Sequence, residues 1–297
     1  MGKRRAAGNR APAFPPSPAS PPSPSSSSGG PPAGSEEEDE APPDEIVETT
    51  FEFNAPGEAD FHGLKALLKD YLDGAEYDVG QLADTIIAQH DVGTVIKVEG
   101  QTEWEACLGV VSTLRPMDGG LAAAREQGFV RQLCAFLDRK VSSTDCHGRL
   151  VAALRSGTVG FVVCERLVNL PLELAHPLHS TLLEDVRKVF AGGVESLLIL
   201  SRAVVERAGA GTGEGKGKGP KRRRADEPPG APKVEYLRPE DEFFVERCNW
   251  HCTFGAPDPS SAHPELRAVR LLIHIDYRAA VEACASLGRK YQYNKHD

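Results

Sequence analysis

The sequence predicts an α/β fold in which one mixed sheet is flanked by helices, and three observations support this prediction. Helical and strand-like segments alternate between residues 46 and 290. Two runs, ACLGVVSTL (106–114) and TVGFVVCERLVNL (158–170), are apolar on both faces, which is typical of central strands. Several strands near the middle and the end of the chain follow one another without a helix between them, so the sheet is not purely parallel.

The first predicted elements are a strand and two helices. Alternation of apolar and polar residues from Val47 to Phe53 predicts a half-buried strand. Apolar residues at helical spacing from Phe61 to Leu72 predict a helix, for which Asp60 is the expected N-cap. A second helix is expected next, with Val79, Leu82, Ile86 and Ile87 on its apolar side.

The middle of the chain is predicted to contribute three strands and three helices. DVGTVIKV (91–98) indicates a strand entered through Gly93, and the two doubly apolar runs supply the next two strands. Helices are expected around 120–140, around 144–155 and from Pro177 to about 190, since Pro is favoured in the first turn of a helix. Pro171 ends the strand that precedes the last of these helices.

The last part of the chain is rich in predicted strands. Strand-like runs cover 195–206, 242–248, 250–254 and 268–276, and a final helix covers about 277–290. The whole of 46–297 is therefore interpreted as a single domain.

Two segments are expected to lie outside the packed core. Residues 1–45 contain 11 of the 23 prolines, a serine tract and the acidic run Glu36 to Glu40, a composition typical of disorder. Residues 208–233 form a flexible, basic, glycine-rich insertion by composition.

No apolar run approaches the roughly 20 residues that span a bilayer, and the N-terminus has no apolar signal region. The sequence thus predicts a soluble, intracellular protein.

Charge and cysteine content narrow the function classes. The chain has 34 basic and 43 acidic residues. Segment 1–45 has 4 basic and 7 acidic residues, and segment 207–233 has 8 basic and 3 acidic residues. The rest of the chain therefore has 22 basic and 33 acidic residues. This acidic body favours a basic protein partner over nucleic acid. The seven cysteines are odd in number and irregularly spaced, so they are interpreted as reduced thiols and not as a disulfide framework.

The glycine-rich stretch GTGEGKGKGPKRRRADEPP (211–229) does not fit a nucleotide site. A phosphate-binding loop needs G-x-x-x-x-G-K-[ST], and the places of the first glycine and of the final Ser or Thr are filled by other residues. The cationic cluster Lys221, Arg222, Arg223 and Arg224 instead predicts a nuclear-import signal, with Lys3, Arg4 and Arg5 as a second cluster. The alternative is a solvated charge run without a specific reader.

Several segments together resemble one known family. They are VETTFEFNAPGEADFHGLKALLKDYLDG, LADTIIAQHDVGTVIKVEG, FVVCERLVNLPLELAHPLH and DEFFVERCNWHCTFG, and the family that they resemble is BCCIP. The resemblance implies a domain similar to the acetyltransferase-type (GNAT-like) fold without a catalytic site. It also implies a nuclear chaperone and export adaptor for clients such as a basic ribosomal protein, as in fungal members. Animal members of the family bind a recombination protein and an inhibitor of a cell-cycle kinase. The resemblance therefore also implies an alternative function, that of an adaptor in recombinational DNA repair and cell-cycle control.

The resemblance raises the question of acetyl transfer. A GNAT enzyme cradles the coenzyme A pyrophosphate with backbone N–H groups of a glycine-rich turn between a strand and a helix. The matching turn here is ERLVNLPLEL (165–174), which has no glycine and loses one N–H donor at Pro171. We therefore expect no enzyme activity and no cofactor, and an acetyl-CoA-dependent acyltransferase is the least favoured alternative.

Two sets of residues have some of the character of a metal site. Cys248, His251, Cys252 and His263 form the densest set, but in a strand Cys248 and Cys252 would be about 13 Å apart. His176 and His179 with Glu173 form the other set, which lacks a fourth ligand. Both sets are interpreted as buried thiols and surface residues, and no metal is expected.

Nine carboxylates on faces that the pattern predicts to be exposed form the candidate client surface. They are Glu48, Glu52, Glu58, Asp60, Asp73, Glu76, Asp78, Asp241 and Glu242. Such a surface would attract a basic ribosomal protein by charge steering, although ordinary solubility explains the same residues when the resemblance is set aside. The expected protein is a monomer, nuclear with shuttling to the cytoplasm, that also binds a nuclear-import receptor but neither membrane nor nucleic acid. Recombination or cell-cycle proteins are the alternative partners.

Overall fold

A computed structural model of the chain describes residues 49–100, 107–115, 128–206, 234–256 and 266–291. Within these residues eight strands form one mixed sheet and seven α-helices pack on its two faces. The prediction of a mixed sheet flanked by helices is therefore confirmed. The tail 1–45 and the insertion 208–233 lie outside the described residues.

The elements have the following bounds. The strands are β1 (Phe51–Asn54), β2 (Thr94–Val98), β3 (Gly109–Leu114), β4 (Val159–Arg166), β5 (Ser196–Glu206), β6 (Val234–Tyr236), β7 (Trp250–Gly255) and β8 (Leu266–Asp276). The helices are α1 (Phe61–Leu68), α2 (Val79–Ala88), α3 (Gly128–Val141), α4 (His147–Arg155), α5 (Ala175–Val189), α6 (Asp241–Val245) and α7 (Tyr277–Tyr291). A 3-10 turn, Leu172–Leu174, precedes α5.

The sheet has the strand order β1-β2-β3-β4-β5-β8-β7, with β6 paired to β5 off this path. Neighbours from β1 to β4 are antiparallel. β4 and β5 are parallel, because α5 carries the chain from the end of one strand back to the start of the next. β8 runs antiparallel to the whole of β5 and is flanked by β7 at the far edge.

Two apolar cores lie on opposite faces of the sheet. α1 to α4 cover one face and α5 to α7 cover the other. In β5, Leu198 and Leu200 belong to the first core, whereas Leu197 and Ile199 belong to the second. A strand that is covered on both faces needs apolar residues at successive positions, and this is why the sequence of β5 is a continuous apolar run.

Gly93 determines how the chain enters β2. Its φ is +124°, a conformation that side chains rarely adopt, and an added Cβ would collide with the backbone oxygen of Val111. The hydroxyl of Ser112 donates a hydrogen bond to the oxygen of Val92 at 2.8 Å, which joins the turn to β3. The glycine in QHDVGTVIK is therefore required by the close approach of β3.

The prediction of a strand at 242–248 is wrong, because Asp241–Val245 forms the helix α6 and residues 246–248 follow it without strand structure. A strand would place Phe243 and Phe244 on opposite faces, and only one of them could then be buried in a single core. In the helix both phenylalanines pack into the second core. β6 is a further element that the sequence patterns did not predict.

Two other local expectations differ from the structure. Asp60 lies at the N-cap position of α1, but its side chain makes no capping hydrogen bond. Phe53, predicted to be on the buried face of the first strand, is 39% exposed because β1 is an edge strand. None of the helices in the described ranges has the length and apolar character that crossing a membrane requires.

Candidate protein-binding surface

The acidic surface predicted from the sequence is centred on α1, α2 and the adjoining turns. The acidic residues of 51–100 are Glu52, Glu58, Asp60, Asp70, Asp73, Glu76, Asp78, Asp84, Asp91 and Glu99, against the basic residues Lys65, Lys69 and Lys97. Of the predicted client residues in this stretch, Glu52, Glu58, Glu76 and Asp78 are exposed. Asp78 also caps α2, since its Oδ1 accepts a hydrogen bond from the backbone N–H of Gln81 at 2.9 Å. Glu48 lies outside the described residues.

Three of the predicted surface carboxylates are buried, which corrects the expectation that they are exposed. Asp60 forms an ion pair with Lys97 and accepts a hydrogen bond from the backbone N–H of Gly57 at 2.9 Å. Asp73, whose side chain is 6% exposed, lies 3.6 Å from Nη1 of Arg270. These two carboxylates each neutralise a nearby cation and are not available to a client.

Asp241 is the third buried carboxylate, at 1% exposure. It accepts hydrogen bonds from the hydroxyl of Ser201 and, at 3.2 Å, from Nε of Arg238. Its neighbour Glu242 is half-buried and lies 3.9 Å from Nζ of Lys290. The part of the predicted client surface at 241–242 is therefore internal or already paired.

An open groove of about 860 Å³ lies on the acidic side of the molecule, between the start of α1 and the end of α2. Phe61 and Ile87 pack partly against the first core and present apolar surface to the groove. Glu58 and Asp84 are exposed carboxylates in its lining. Asp84 was not among the carboxylates predicted from the sequence. It lies on the polar side of α2, and the helical pattern of that segment could have identified it. The arrangement suits a segment that carries both cations and apolar side chains.

A second feature is the gap between the parallel strands β4 and β5. The two strands pair from Val159 with Ser196 to Val162 with Ile199 and then diverge. β6 pairs with the later part of β5, opposite Ala203 to Val205. The gap that results is called the β4–β5 cleft below, and it has a cavity of about 240 Å³.

The guanidinium of Arg238 lies across the narrow end of the β4–β5 cleft. Its Nη1 donates to the oxygen of Cys164 at 2.7 Å and its Nη2 donates to the oxygen of Leu200 at 3.2 Å. One arginine thus satisfies strand carbonyls on both sides of the divergence. Since sheet pairing stops there, these carbonyls would otherwise lack a donor.

A buried ionic cluster lies directly beneath the cleft. Nη2 of Arg166 donates to Oε2 of Glu240 at 2.8 Å, and Nε2 of His179 is 4.0 Å from Oε1 of the same carboxylate. Burial alone would raise the pKa of Glu240, but His179 and Arg166 outweigh it and lower that pKa to about 2. Burial alone would lower the pKa of His179, but its contacts with Cys164 and Glu240 outweigh it and raise that pKa to about 9. Both shifts favour the charged forms of His179 and Glu240.

The turn expected to match an acyl-CoA cradle lies between β4 and α5. The backbone N–H of Leu170 donates to the oxygen of Leu167 at 3.3 Å, and the N–H of Leu174 donates to the oxygen of Pro171 at 3.2 Å. These N–H groups are used inside the turn, and Pro171 has none. The turn thus offers fewer donors to a pyrophosphate than a glycine-rich cradle does.

The candidate metal ligands do not assemble into a metal site. Sγ of Cys248 is 3.5 Å from Nδ1 of His251, but Cys252 lies on the opposite, buried side of β7. His263 lies outside the described residues. His179 belongs to the ionic cluster and His176 lines a groove between α5 and α7. In the described part of the chain, no three His, Cys, Asp or Glu side chains are placed to hold a metal ion.

The cysteines are free thiols, as the sequence predicts. All seven cysteines are free, and four of them, Cys107, Cys164, Cys252 and Cys284, are buried. Burial raises the pKa of the Cys107 and Cys252 thiols to about 12. The predicted import signals, Lys3–Arg5 and Lys221–Arg224, both lie outside the described residues.

Comparisons with known proteins agree on one family. The family model described as BCCIP matches residues 46–244, so the resemblance inferred from the sequence is confirmed. A curated relative, the Protein BCCIP homolog of Arabidopsis thaliana, is 30% identical over 245 residues, which cover 77% of this chain and 69% of that protein.

A solved structure has the same fold, and a second one is similar to a lesser degree. The crystal structure of BCP1 from Saccharomyces cerevisiae matches with a TM-score of 0.55 and 20% identity, over 89% of this chain and 100% of that one. The loading GNATL domain of CurA from Lyngbya majuscula matches with a TM-score of 0.38 and 13% identity, over 77% of this chain and 98% of that one.

Proposed function

Since this chain belongs to the BCCIP family, we propose that it is a nuclear adaptor and chaperone without enzyme activity, which binds a basic ribosomal protein as its client. The observation that carries the proposal is the groove between α1 and α2. It combines an apolar floor at Phe61 and Ile87 with exposed carboxylates at Glu58 and Asp84.

The groove supports binding of a basic client in two steps. The excess of exposed carboxylates around α1 and α2 attracts a cationic protein and accelerates encounter. Each exposed ion pair then contributes only about 0.2–1 kcal/mol, so charge alone holds the client weakly. Burial of apolar side chains against Phe61 and Ile87 adds an interaction that is not weakened by charge screening. A client held in this way has its cations covered and is kept from non-specific RNA.

The β4–β5 cleft supports the proposal that the protein is not an acyltransferase. Arg238 occupies the place where the two strands separate, and the following turn has no glycine. An acyl-CoA would have to displace a guanidinium that makes hydrogen bonds to Cys164, Leu200 and Asp241. Saturable binding of acetyl-CoA in calorimetric titration would contradict this part of the proposal.

Nuclear localisation is proposed on the basic clusters of the sequence. An import receptor reads such clusters in extended form, so Lys221–Arg224 and Lys3–Arg5 are the proposed signals. Replacement of Lys221, Arg222, Arg223 and Arg224 by Ala is expected to move the full chain toward the cytoplasm, as measured by fluorescence microscopy of a tagged protein. Unchanged nuclear accumulation would assign import to Lys3–Arg5 or to a bound client.

The decisive experiment measures client binding by groove variants. Full-length protein is immobilised, and binding of purified basic ribosomal proteins is followed at 50, 150 and 500 mM salt by surface plasmon resonance. Glu58→Gln combined with Asp84→Asn is expected to weaken binding several-fold at low salt, and the effect should shrink as salt screens the charges. Glu173→Gln combined with Glu282→Gln removes two exposed carboxylates from the other side of the sheet and is the matched control.

Two outcomes would contradict the proposed function. Equal effects of the two double variants would mean that net charge, and not the groove, governs binding. Absence of binding to every basic ribosomal protein at 50 mM salt, together with binding to recombination or cell-cycle proteins, would favour the alternative adaptor role.

A further inference from the structure

We propose that the β4–β5 cleft is a second docking site, which takes the C-terminal residues of a protein partner in extended conformation. The partner's last side chain is apolar, and its free carboxylate meets Arg166. This site is independent of the α1–α2 groove, so it does not depend on the identity of the basic client.

The two strands beside the cleft, β4 and β6, each have a residue whose backbone groups point away from the neighbouring strand. The N–H of Leu167 donates to the oxygen of Leu108, so the next residue back, Arg166, directs its N–H and C=O away from β3. The N–H of Leu237 donates to the oxygen of Arg202, so Tyr236 directs its N–H and C=O away from β5. An extended segment between these edges would add as a strand, which is an established mode of peptide recognition.

The rim of the cleft is apolar and exposed. Val168 is 86% exposed, Leu237 is 47% exposed, and both line the cavity. Leu167, beside Val168, is 44% exposed. Leu170 and Leu172 continue the apolar lining toward the second core. Exposed apolar side chains gathered around a concavity are typical of a protein-binding site.

The floor of the cleft contains an arginine, Arg166, whose guanidinium is incompletely paired. The side chain of Arg166 is 7% exposed and lines the cavity, and its Nη1 has no hydrogen-bond partner among the described residues. Around the cleft three arginines each pair with one carboxylate: Arg166 with Glu240, Arg202 with Glu165, and Arg238 with Asp241. This pairing leaves Nη1 of Arg166 as a buried donor that a further carboxylate could satisfy. A charge-assisted hydrogen bond to the buried Nη1 would be stronger than a neutral one.

The shape of the cleft favours a chain end over an internal segment. β4 and β5 are paired up to Val162 and Ile199, and Arg238 closes the gap just beyond this pair. A strand that enters along the sheet therefore meets a closed end, where a terminus can stop but a continuing chain would have to turn. The cavity of about 240 Å³ is below the roughly 300–1,000 Å³ of small-molecule pockets, so it suits one or two side chains.

The test uses full-length protein and a panel of fluorescein-labelled hexapeptides that end in Leu, Val or Phe. Each peptide is made with a free C-terminus and as the C-terminal amide, which removes the charge and little else. Fluorescence anisotropy is expected to show binding of the free acids and a loss of about tenfold or more for the amides. Equal affinities of the acid and amide forms, or no binding below about 1 mM by any free acid, would overturn the proposal.

A pair of matched valine substitutions locates the binding site. Val168→Asp places a negative charge at the exposed rim and is expected to weaken binding of the free acids at least tenfold without unfolding the protein. Val189→Asp is the control, because Val189 is also exposed, at 45%, and lies at the end of α5 away from the cleft lining. Binding that Val168→Asp leaves unchanged would place the peptide elsewhere.

The chain's own acidic run is the competing occupant. If binding appears only after Glu36, Glu37, Glu38 and Glu40 are replaced by Gln and Asp39 by Asn, the tail fills the cleft and the proposal of an outside partner is wrong.

Discussion

The α1–α2 surface and the β4–β5 cleft both carry several carboxylates, but in opposite physical states. Around α1 and α2, Glu58, Glu76 and Asp84 lie in water, where they contribute to the field around the protein. Beneath the cleft, Glu240 and Asp241 are about 1% exposed and contact Arg166, His179 and Arg238. Carboxylates of the α1–α2 surface are therefore available to contact a partner, whereas those beneath the β4–β5 cleft stabilise the folded protein.

The largest effect is expected from breaking the buried cluster. Glu240→Ala leaves the Arg166 guanidinium and the His179 imidazolium buried without their shared counter-ion. Loss of one partner of a buried ion pair costs about 3–5 kcal/mol of the free energy of unfolding. Urea denaturation followed by circular dichroism measures this loss. A cost below about 1 kcal/mol would mean that water reaches the cluster and that the contrast between the two regions is smaller than described.

A smaller effect is expected from pH, since the cluster titrates. The pKa of His179 is raised from 6.5 to about 9, so its stabilising charge is complete below pH 6.5 and is lost as the pH rises through 9. The pKa of Glu240 is lowered from 4.5 to about 2, so its contribution is complete above pH 4.5 and is lost as the pH falls toward 2. Stability should therefore fall between pH 6.5 and 9.5, by at most roughly 3 kcal/mol from His179.

This pH dependence is checked by thermal unfolding at pH 5.5, 7.5 and 9.5. In His179→Gln, the loss of stability between pH 5.5 and 9.5 is expected to be smaller than in the natural chain. The same loss in both proteins would show that another group is responsible.

Asp60 belongs to the acidic stretch by sequence but resembles the buried cluster in its surroundings, and Asp60→Asn tests which of the two governs its effect on stability. Asp60 lies in the acidic stretch but is buried and paired with Lys97 like a residue of the cluster. Because Asn keeps the shape but not the charge, the expected cost is about 1–3 kcal/mol. Glu76→Gln is the exposed control in the same stretch, and its effect on the denaturation midpoint should be within about 0.5 kcal/mol. Similar costs for both would contradict the burial of Asp60.

The smallest effect on stability is expected at the groove. Glu58→Gln combined with Asp84→Asn changes two exposed carboxylates that pair with no described residue, so the free energy of unfolding should stay within about 0.5 kcal/mol of the natural value. Binding of a basic client is expected to fall in the same variant. A stability loss above 1 kcal/mol would assign these residues a structural role and weaken the proposed function.

The fold was largely predictable because it depends on local patterns. The continuous apolar run of β5 and the alternation in β8 follow from burial on the sheet, and both strands lie close to where the sequence placed them. The helix α6 was missed because its five residues are too few to show a helical period. What decides its conformation is contact with distant residues, such as Ser201, 40 positions away from Asp241.

The candidate site was predictable only in part for the same reason. A carboxylate in a polar position looks exposed in the sequence, and for Glu58 and Glu76 this expectation holds. For Asp73 and Asp241 the deciding partners are Arg270 and Arg238, and the pattern around each carboxylate does not reveal them. Likewise, the divergence of β4 and β5 is a property of the assembled sheet and has no local signature.

The position of Arg238 has a consequence for how the molecule opens. Because it donates to the carbonyls of Cys164 and Leu200, it connects the segment from β6 to α6 with the end of β4 and the middle of β5. Amide protons in these three segments are therefore expected to exchange with solvent together, as one cooperative unit, and to do so at a lower free energy than those of β8. In Arg238→Ala the segments would exchange separately, each at its own rate.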